Sequence, residues 1–270
     1  MLKEKNRAGE TLASEQYLQY TLYKDVLARK RLTAVVERVS SYAKEVQKNR
    51  LKILDLGCGI GGMAFPLSYL GHTVVGVDVD SQSIEDCNSK NTFPNATYLV
   101  GDIANLDLLE PFDVVICSEV LEHSLEPNLI LQTIKRHLTP DGIAIVTIPN
   151  GYCLYELVFS RLFQKLKITT LFHRLPPKMY RALTGSPSPY HSLNIFCGHV
   201  QFFTLRRFTR LIGECGFRLM EIVNLSLGLF LDWKWLSPLR RLECNLAGFV
   251  PNAVAGGWVF VAKLKGISDA

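Results

Sequence analysis

The chain has 270 residues, of which 48% are apolar and 20% charged. That is enough to bury a core hiding roughly three quarters of the unfolded surface, and too apolar for a disordered chain. The charged start Met1-Leu-Lys-Glu-Lys-Asn-Arg7 has no apolar stretch behind it, so no signal peptide is expected and a cytoplasmic location is. Seven cysteines, an odd number without a CxxC pair, read as reduced core thiols rather than disulfides or a zinc site.

The net charge of +5 is unevenly placed, because no Asp or Glu lies between Leu157 and Gly213 while nine Lys and Arg do; the remainder carries 21 basic against 25 acidic residues. One segment therefore holds all the positive excess.

Over 11–49, apolar residues recur at helical steps (Leu18, Leu22, Val26, then Leu32, Val35, Val36, Val39), which predicts two helices over 1–49 that cap the rest and carry no evident chemistry. From residue 50 to 150 the pattern changes to short β-rich runs separated by helix-length stretches. Strands are expected at Lys52–Asp55, Thr73–Asp78, Ala96–Val100, Phe112–Cys117 and Gly142–Ile148. Five strands alternating with helices imply an α/β fold, a doubly wound, Rossmann-like parallel sheet whose strand-to-helix loops share one rim, where ligands bind.

Residues 151–203 interrupt this pattern. An amphipathic stretch (Tyr155, Val158, Phe159, Leu162, Phe163, Leu166) and the loop Gly185-Ser-Pro-Ser-Pro-Tyr190 read as a basic helical lid, whose charge over 155–181 would also suit a membrane surface or a lipid-like substrate. The tail 204–270 completes the sheet, with a helix over Thr204–Cys215, a strand from Phe217 to about Val223 and a last strand over Trp258–Leu264. An insertion near 227–256 leads into that strand, and the uncharged run Cys244–Ala262 reads as a loop followed by the strand because Pro251 and Gly248, Gly256 and Gly257 fall within it.

The strongest local signal is Leu54-Asp-Leu-Gly-Cys-Gly-Ile-Gly-Gly62 between a strand and a helix. Its glycines Gly57 and Gly59, with Cys58 between them, permit a tight turn and close approach of a ligand. Gly57, Gly59 and Gly62 also satisfy GxGxxG, so an NAD(P)-dependent oxidoreductase on the same sheet competes. Asp78, ending the second strand beside Val79, suits ribose hydroxyls under either reading. Asp102, followed by Ile103, adds a rim carboxylate suited to an adenine amine, and Asp55 adds one beside the glycine loop. A pyrophosphate would be repelled by Asp55, whereas an ammonium or sulfonium ligand would not.

In this order Leu54–Gly61, Val77-Asp78, Gly101-Asp102, Phe112-Asp-Val-Val-Ile-Cys-Ser-Glu-Val-Leu-Glu-His123 and Leu138–Ile148 resemble class I S-adenosylmethionine-dependent methyltransferases, and the run Glu119–His123 is most similar to the ubiquinone and menaquinone type. The tail His199–Leu205 with Cys215-Gly-Phe217 resembles the same subgroup. The resemblance implies a seven-stranded sheet with an antiparallel last strand, S-adenosylmethionine as methyl donor, and a small-molecule acceptor, apolar or anionic, methylated at a hydroxyl. It implies cofactor contacts from Asp55, Gly57, Cys58, Gly59, Asp78, Val79, Asp102, Ile103 and Ser118.

If a helix starts after the fourth strand, Glu119, Glu122 and His123 stand at i, i+3 and i+4 and share a face. His123, supported by Glu119, is the expected base or orienting group; a divalent metal there is an option, not an expectation. His199, His191 and Tyr190 lie in or beside the lid. Nucleic acid is not an expected partner, since no recognition module accompanies the basic segment. A SAM-binding regulator without catalysis satisfies the same motifs.

Overall fold

The computed structural model describes residues 16–153, 199–229 and 237–266. Residues 154–198, which hold most of the lid reading including 155–181, Tyr190 and His191, lie outside them.

Seven strands, β1 (Lys52–Leu56), β2 (Thr73–Asp78), β3 (Ala96–Val100), β4 (Phe112–Ser118), β5 (Leu138–Pro149), β6 (Phe217–Ser226) and β7 (Gly257–Leu264), form one sheet in the order β3-β2-β1-β4-β5-β7-β6. The five N-terminal strands pair in parallel, and β7 lies antiparallel to both β5 and β6. The central strands are Val- and Ile-rich because both faces are covered. Val114, Ile116, Ile53 and Val259 pack into one core beneath α1 (Val26–Glu45), and Leu54, Val115, Val146 and Phe260 into a second on the opposite face.

Four further helices matter to the site: α2 (Ala64–Tyr69), α3 (Ser81–Lys90), α4 (Pro127–His137) and α5 (Leu205–Glu214). Asp80 and Thr204 cap α3 and α5 by accepting from the backbone N–H of Ser83 and Arg207.

The expected pair of N-terminal helices is instead a short 3₁₀ turn, Gln16–Gln19, followed by a single helix. The reason is Asp25, whose side chain accepts from Ala28 N–H at 2.6 Å and starts the helix at Val26. Strand β5 starts four residues earlier than expected, at Leu138, which pairs with Phe112 before a register irregularity. The insertion before β7 is also not all loop: α6 (Ser237–Leu246) is followed by 3₁₀ turns at Ala247–Phe249 and Asn252–Val254.

Register gathers the site. Leu56 pairs with Val77 and Cys117, Asp78 with Val100, and Ser118 with Thr147, so the C-terminal ends of β1 to β5 lie side by side on one rim.

Candidate active site

At the centre of this rim the chain turns sharply out of β1. Gly57, Gly59 and Gly61 have φ of 74°, 51° and 84°, a region costly for other residues. The N–H groups of Gly57 and Cys58 both donate to Val77 O, at 2.8 and 3.1 Å, pinning the loop to β2. A Cβ on Gly57 would lie 2.4 Å from Val120 Cγ2, whereas one on Gly59 would have nothing within 4 Å. The loop is thus packed below Gly57 and open above Gly59. It leads into α2, which begins at Ala64 and has no side-chain cap.

Asp78 ends β2 beside this opening, with Oδ2 accepting from Gly59 N–H at 2.7 Å and Oδ1 from Asp80 N–H at 3.0 Å. It therefore fixes the loop from the end of β2. Val79 next to it is 73% exposed, an apolar surface at the edge of the opening. Asp102 is exposed and organises its own turn, accepting from Ala104 N–H and from Asn105 Nδ2, while Ile103 packs on the second core. Asp55 is only 2% exposed, and its Oδ2 is buried without a hydrogen-bond partner. Burial, and then the Asp78 carboxylate, push its pKa up to about 7. The Cys58 thiol is held protonated by a hydrogen bond with Cys87 and by burial, which makes it a packing group rather than a nucleophile.

Beyond β4 the expected helix does not begin. Glu119 has φ of +56°, and Leu121–His123 is one 3₁₀ turn, with α4 starting only at Pro127. The left-handed backbone is held in place because Glu119 N–H donates to both the carbonyl and the hydroxyl of Thr147, whose hydroxyl also contacts Ser118 Oγ at 2.9 Å. The Glu119 carboxylate takes a hydrogen bond from Thr147 Oγ1 and an ion pair from Arg31 at 2.9 Å. Glu119, Glu122 and His123 thus do not share a helix face: Glu119 turns to Arg31 and Thr147, while Glu122 stays beside His123, with 3.9 Å between Oε1 and Nε2.

His199, ahead of α5, joins them. The N–H groups of Val200 and Gln201 both donate to Glu122 O at 2.9 Å, and the His123 and His199 rings stand 4.9 Å apart. One carboxylate and two imidazoles place their ligand atoms within 4.8 Å of one another, with Glu122 and His199 buried and His123 half-buried. That donor set suits a divalent cation such as zinc or iron.

The segment ahead of α1 also reaches the glycine loop. Thr21 Oγ1 donates to Gly62 O at 2.8 Å, and the Tyr23 ring covers Gly62 so closely that a Cβ there would lie 2.5 Å from it. Burial pushes the Tyr23 phenol up to about 12, so it stays protonated. No local pattern marks these contacts, which join positions about forty residues apart.

A methyltransferase-domain family model matches residues 27–222, and the chain belongs to that family. Among curated relatives, the ubiquinone biosynthesis O-methyltransferase of Rickettsia canadensis (strain McKiel) is 34% identical over 122 residues, 44% of this chain and 51% of that protein. That of Rickettsia akari (strain Hartford) is 32% identical over 166 residues, 58% of this chain and 65% of that protein. The chain thus spans about half to two thirds of the length of these relatives. Among solved structures, the magnesium protoporphyrin IX methyltransferase of Synechocystis PCC 6803, with bound SAH, matches with TM-score 0.53 and 17% identity over 88% of this chain and 84% of that one. This last likeness shows the fold.

Proposed function

We propose that this chain transfers the methyl group of S-adenosylmethionine to a hydroxyl on a small, largely apolar acceptor. The observation that carries the reading is the buried Asp55 carboxylate, with no hydrogen bond at Oδ2, beside the open face of the Gly57–Gly59 turn. The donor's ammonium would answer Asp55, its ribose Asp78, and its adenine the Val79 side of the cleft with Asp102 and Ile103. Gly57, Cys58, Gly59 and Ser118 would line the passage between them. A dinucleotide would bring its pyrophosphate against Asp55, which disfavours the oxidoreductase alternative.

Methyl transfer is an in-line displacement at an activated sulfonium, so the protein chiefly aligns the acceptor and excludes water. His123, a third of whose side chain is exposed on the turn after β4, would take the hydroxyl proton at a ring nitrogen, with Glu122 beside it. Glu119, tied to Arg31 and Thr147, would fix the turn rather than move a proton. Glu122, His123 and His199 would be the ligands if a divalent cation takes part, and it would lower the pKa of a bound hydroxyl. The names of the curated relatives support an oxygen acceptor.

We read 50–150 as the donor-binding core, 1–49 as its cap, 151–203 as a lid and 204–270 as completing the sheet. Among the described residues no helix is long and apolar enough to cross a membrane. Contact of 155–181 with an anionic membrane would appear as salt-sensitive co-sedimentation with anionic but not neutral liposomes. Calorimetry with S-adenosylhomocysteine and NAD tests the donor, and tighter binding of NAD would refute it. Transfer from labelled donor into a metabolite extract tests catalysis, and binding without transfer would leave a SAM-binding regulator.

A further inference from the structure

The helix ahead of β7 is turned inside out. Along α6 and the 3₁₀ turn that continues it, Arg240, Glu243, Cys244 and Ala247 are buried, whereas Leu239, Leu242, Leu246 and Phe249 are 43% to 87% exposed. Steps of three, four and three residues put these four on one outer stripe. A helix at the surface of a globular protein ordinarily does the reverse, burying its apolar stripe and showing its charges to water.

Polar bonds on the inner side hold α6 down, so the outer stripe is not needed to keep it in place. Arg240 and Glu243 pair at 2.9 Å, Glu243 Oε1 accepts from Leu229 N–H at 2.9 Å, and Lys30 Nζ of α1 donates to Cys244 O. Asn224 Nδ2 of β6 donates to Ala247 O and Val250 O, at 3.1 and 2.9 Å, which fixes the turn that carries Phe249. The stripe presents on the order of 500 Å² of apolar surface, at the upper end for a monomer. Its charged neighbour on α6 is the exposed Arg241, since Glu243, the one acid in 237–256, is buried. The adjoining sequence Leu229-Phe-Leu-Asp-Trp-Lys-Trp-Leu236 holds two of the chain's three tryptophans, a residue type enriched at the headgroup level of bilayers.

We propose that the outer stripe of α6 and the turn after it dock this protein on a lipid bilayer, the helix lying in the plane of the headgroups. Leu239, Leu242, Leu246 and Phe249 enter the acyl boundary while Arg241 stays with the phosphates. A second copy fits the stripe less well, because on the order of 500 Å² falls short of the roughly 800 Å² per partner of a standard interface. Two copies meeting on this patch would also bring together Arg241 and its counterpart with no exposed acid of 237–256 to answer them. The surface is separate from 155–181 and works differently, since burial of apolar area is not screened by salt. On its inner side Arg240 lines one small cavity with Arg31 and Glu119, so the docked helix borders the reaction-centre turn.

The test is co-sedimentation of the full chain with vesicles of phosphatidylcholine, alone or mixed with phosphatidylglycerol, at low salt and at about 0.5 M NaCl. The parent should bind both kinds, and its binding to phosphatidylcholine should survive the salt. Leu242→Gln combined with Phe249→Gln should weaken that binding about tenfold or more at an unchanged melting temperature. Whatever binding remains should be salt-sensitive and confined to the anionic vesicles, as expected of 155–181. Phe249→Trp reads the contact directly, since its added fluorescence should be quenched by phosphatidylcholine brominated on the acyl chains. No binding of the parent to phosphatidylcholine, binding that the double variant keeps in full, or added emission untouched by the brominated lipid would overturn the inference. So would a dimer in ultracentrifugation that the double variant dissolves, which would make a second copy the occupant. A melting temperature lowered by the two substitutions would overturn it too, by showing that the chain itself covers the stripe.

Discussion

Asp55 can be interrogated through its proton. In the free protein its carboxyl titrates at about 7, raised by burial and by Asp78, and it must be ionised to receive a cationic donor. If the complex titrates well below pH 5, the free carboxyl is about 1% ionised at pH 5 and about half ionised at pH 7, so affinity for S-adenosylhomocysteine should rise about fiftyfold over that interval and level off above it. Calorimetry in buffers of different ionisation enthalpy should show release of about one proton per ligand bound at pH 6. Without ligand the sign is opposite. A carboxyl whose folded pKa is raised from 3.8 to about 7 contributes stability that is fully present below about pH 4 and lost as pH rises through 7, at most about 4 kcal/mol for so buried a group. Asp55→Asn, a mimic of the protonated form, should remove both pH dependences and bind the ligand weakly at every pH. Affinity that stays flat from pH 5 to 8, or a slope that survives in Asp55→Asn, would refute the assignment.

Asp78→Ala should cost about 1–3 kcal/mol of S-adenosylhomocysteine affinity through its charge-assisted bonds, measured by calorimetry on protein whose melting confirms that it is folded. His123→Ala should lower turnover about 10²- to 10⁴-fold while donor affinity holds, read from labelled methyl transfer once an acceptor is in hand. Gly57→Ala places a Cβ against Val120 in a left-handed turn, and thermal melts should show a loss of about 1–3 kcal/mol.

The sheet was legible because its strands are short Val- and Ile-rich runs that end in Asp or Gly, and a fully covered parallel strand needs such a run. The same signal placed Asp55, Gly57, Gly59 and Asp78 on one rim, since each follows directly from where a strand ends. What escaped depends on contacts distant in sequence. The cap bond of Asp25 decides where α1 begins, and nothing in the apolar spacing of Leu18, Leu22 and Val26 reports it. Glu119 was read as a helical residue, because only Thr147 and Arg31, neither of them near it in sequence, make its left-handed backbone tolerable. Likewise the sequence around 227–256 reads as loop because the uncharged run from Cys244 dominates its pattern, whereas α6 is marked only by the Arg240–Glu243 pair one helical turn apart.

The position of β7, between β5 and β6, has a consequence for the order in which a growing chain acquires its parts. The strands β1 to β4, at whose ends Asp55, Asp78, Asp102 and Ser118 stand, pair only with strands already synthesised by residue 149, so that half can assemble while the tail is still being made. The small cavity lined by Leu27, Arg31, Glu119 and Pro149 cannot. Its far wall, Leu225, Ser226 and Gly228, belongs to or follows a strand that has no neighbour in the sheet until β7 arrives, and Gly256 and Gly257 come with β7 itself. A nascent chain would therefore complete the rim formed by the ends of β1 to β4 well before the wall that β6 and β7 build beside it.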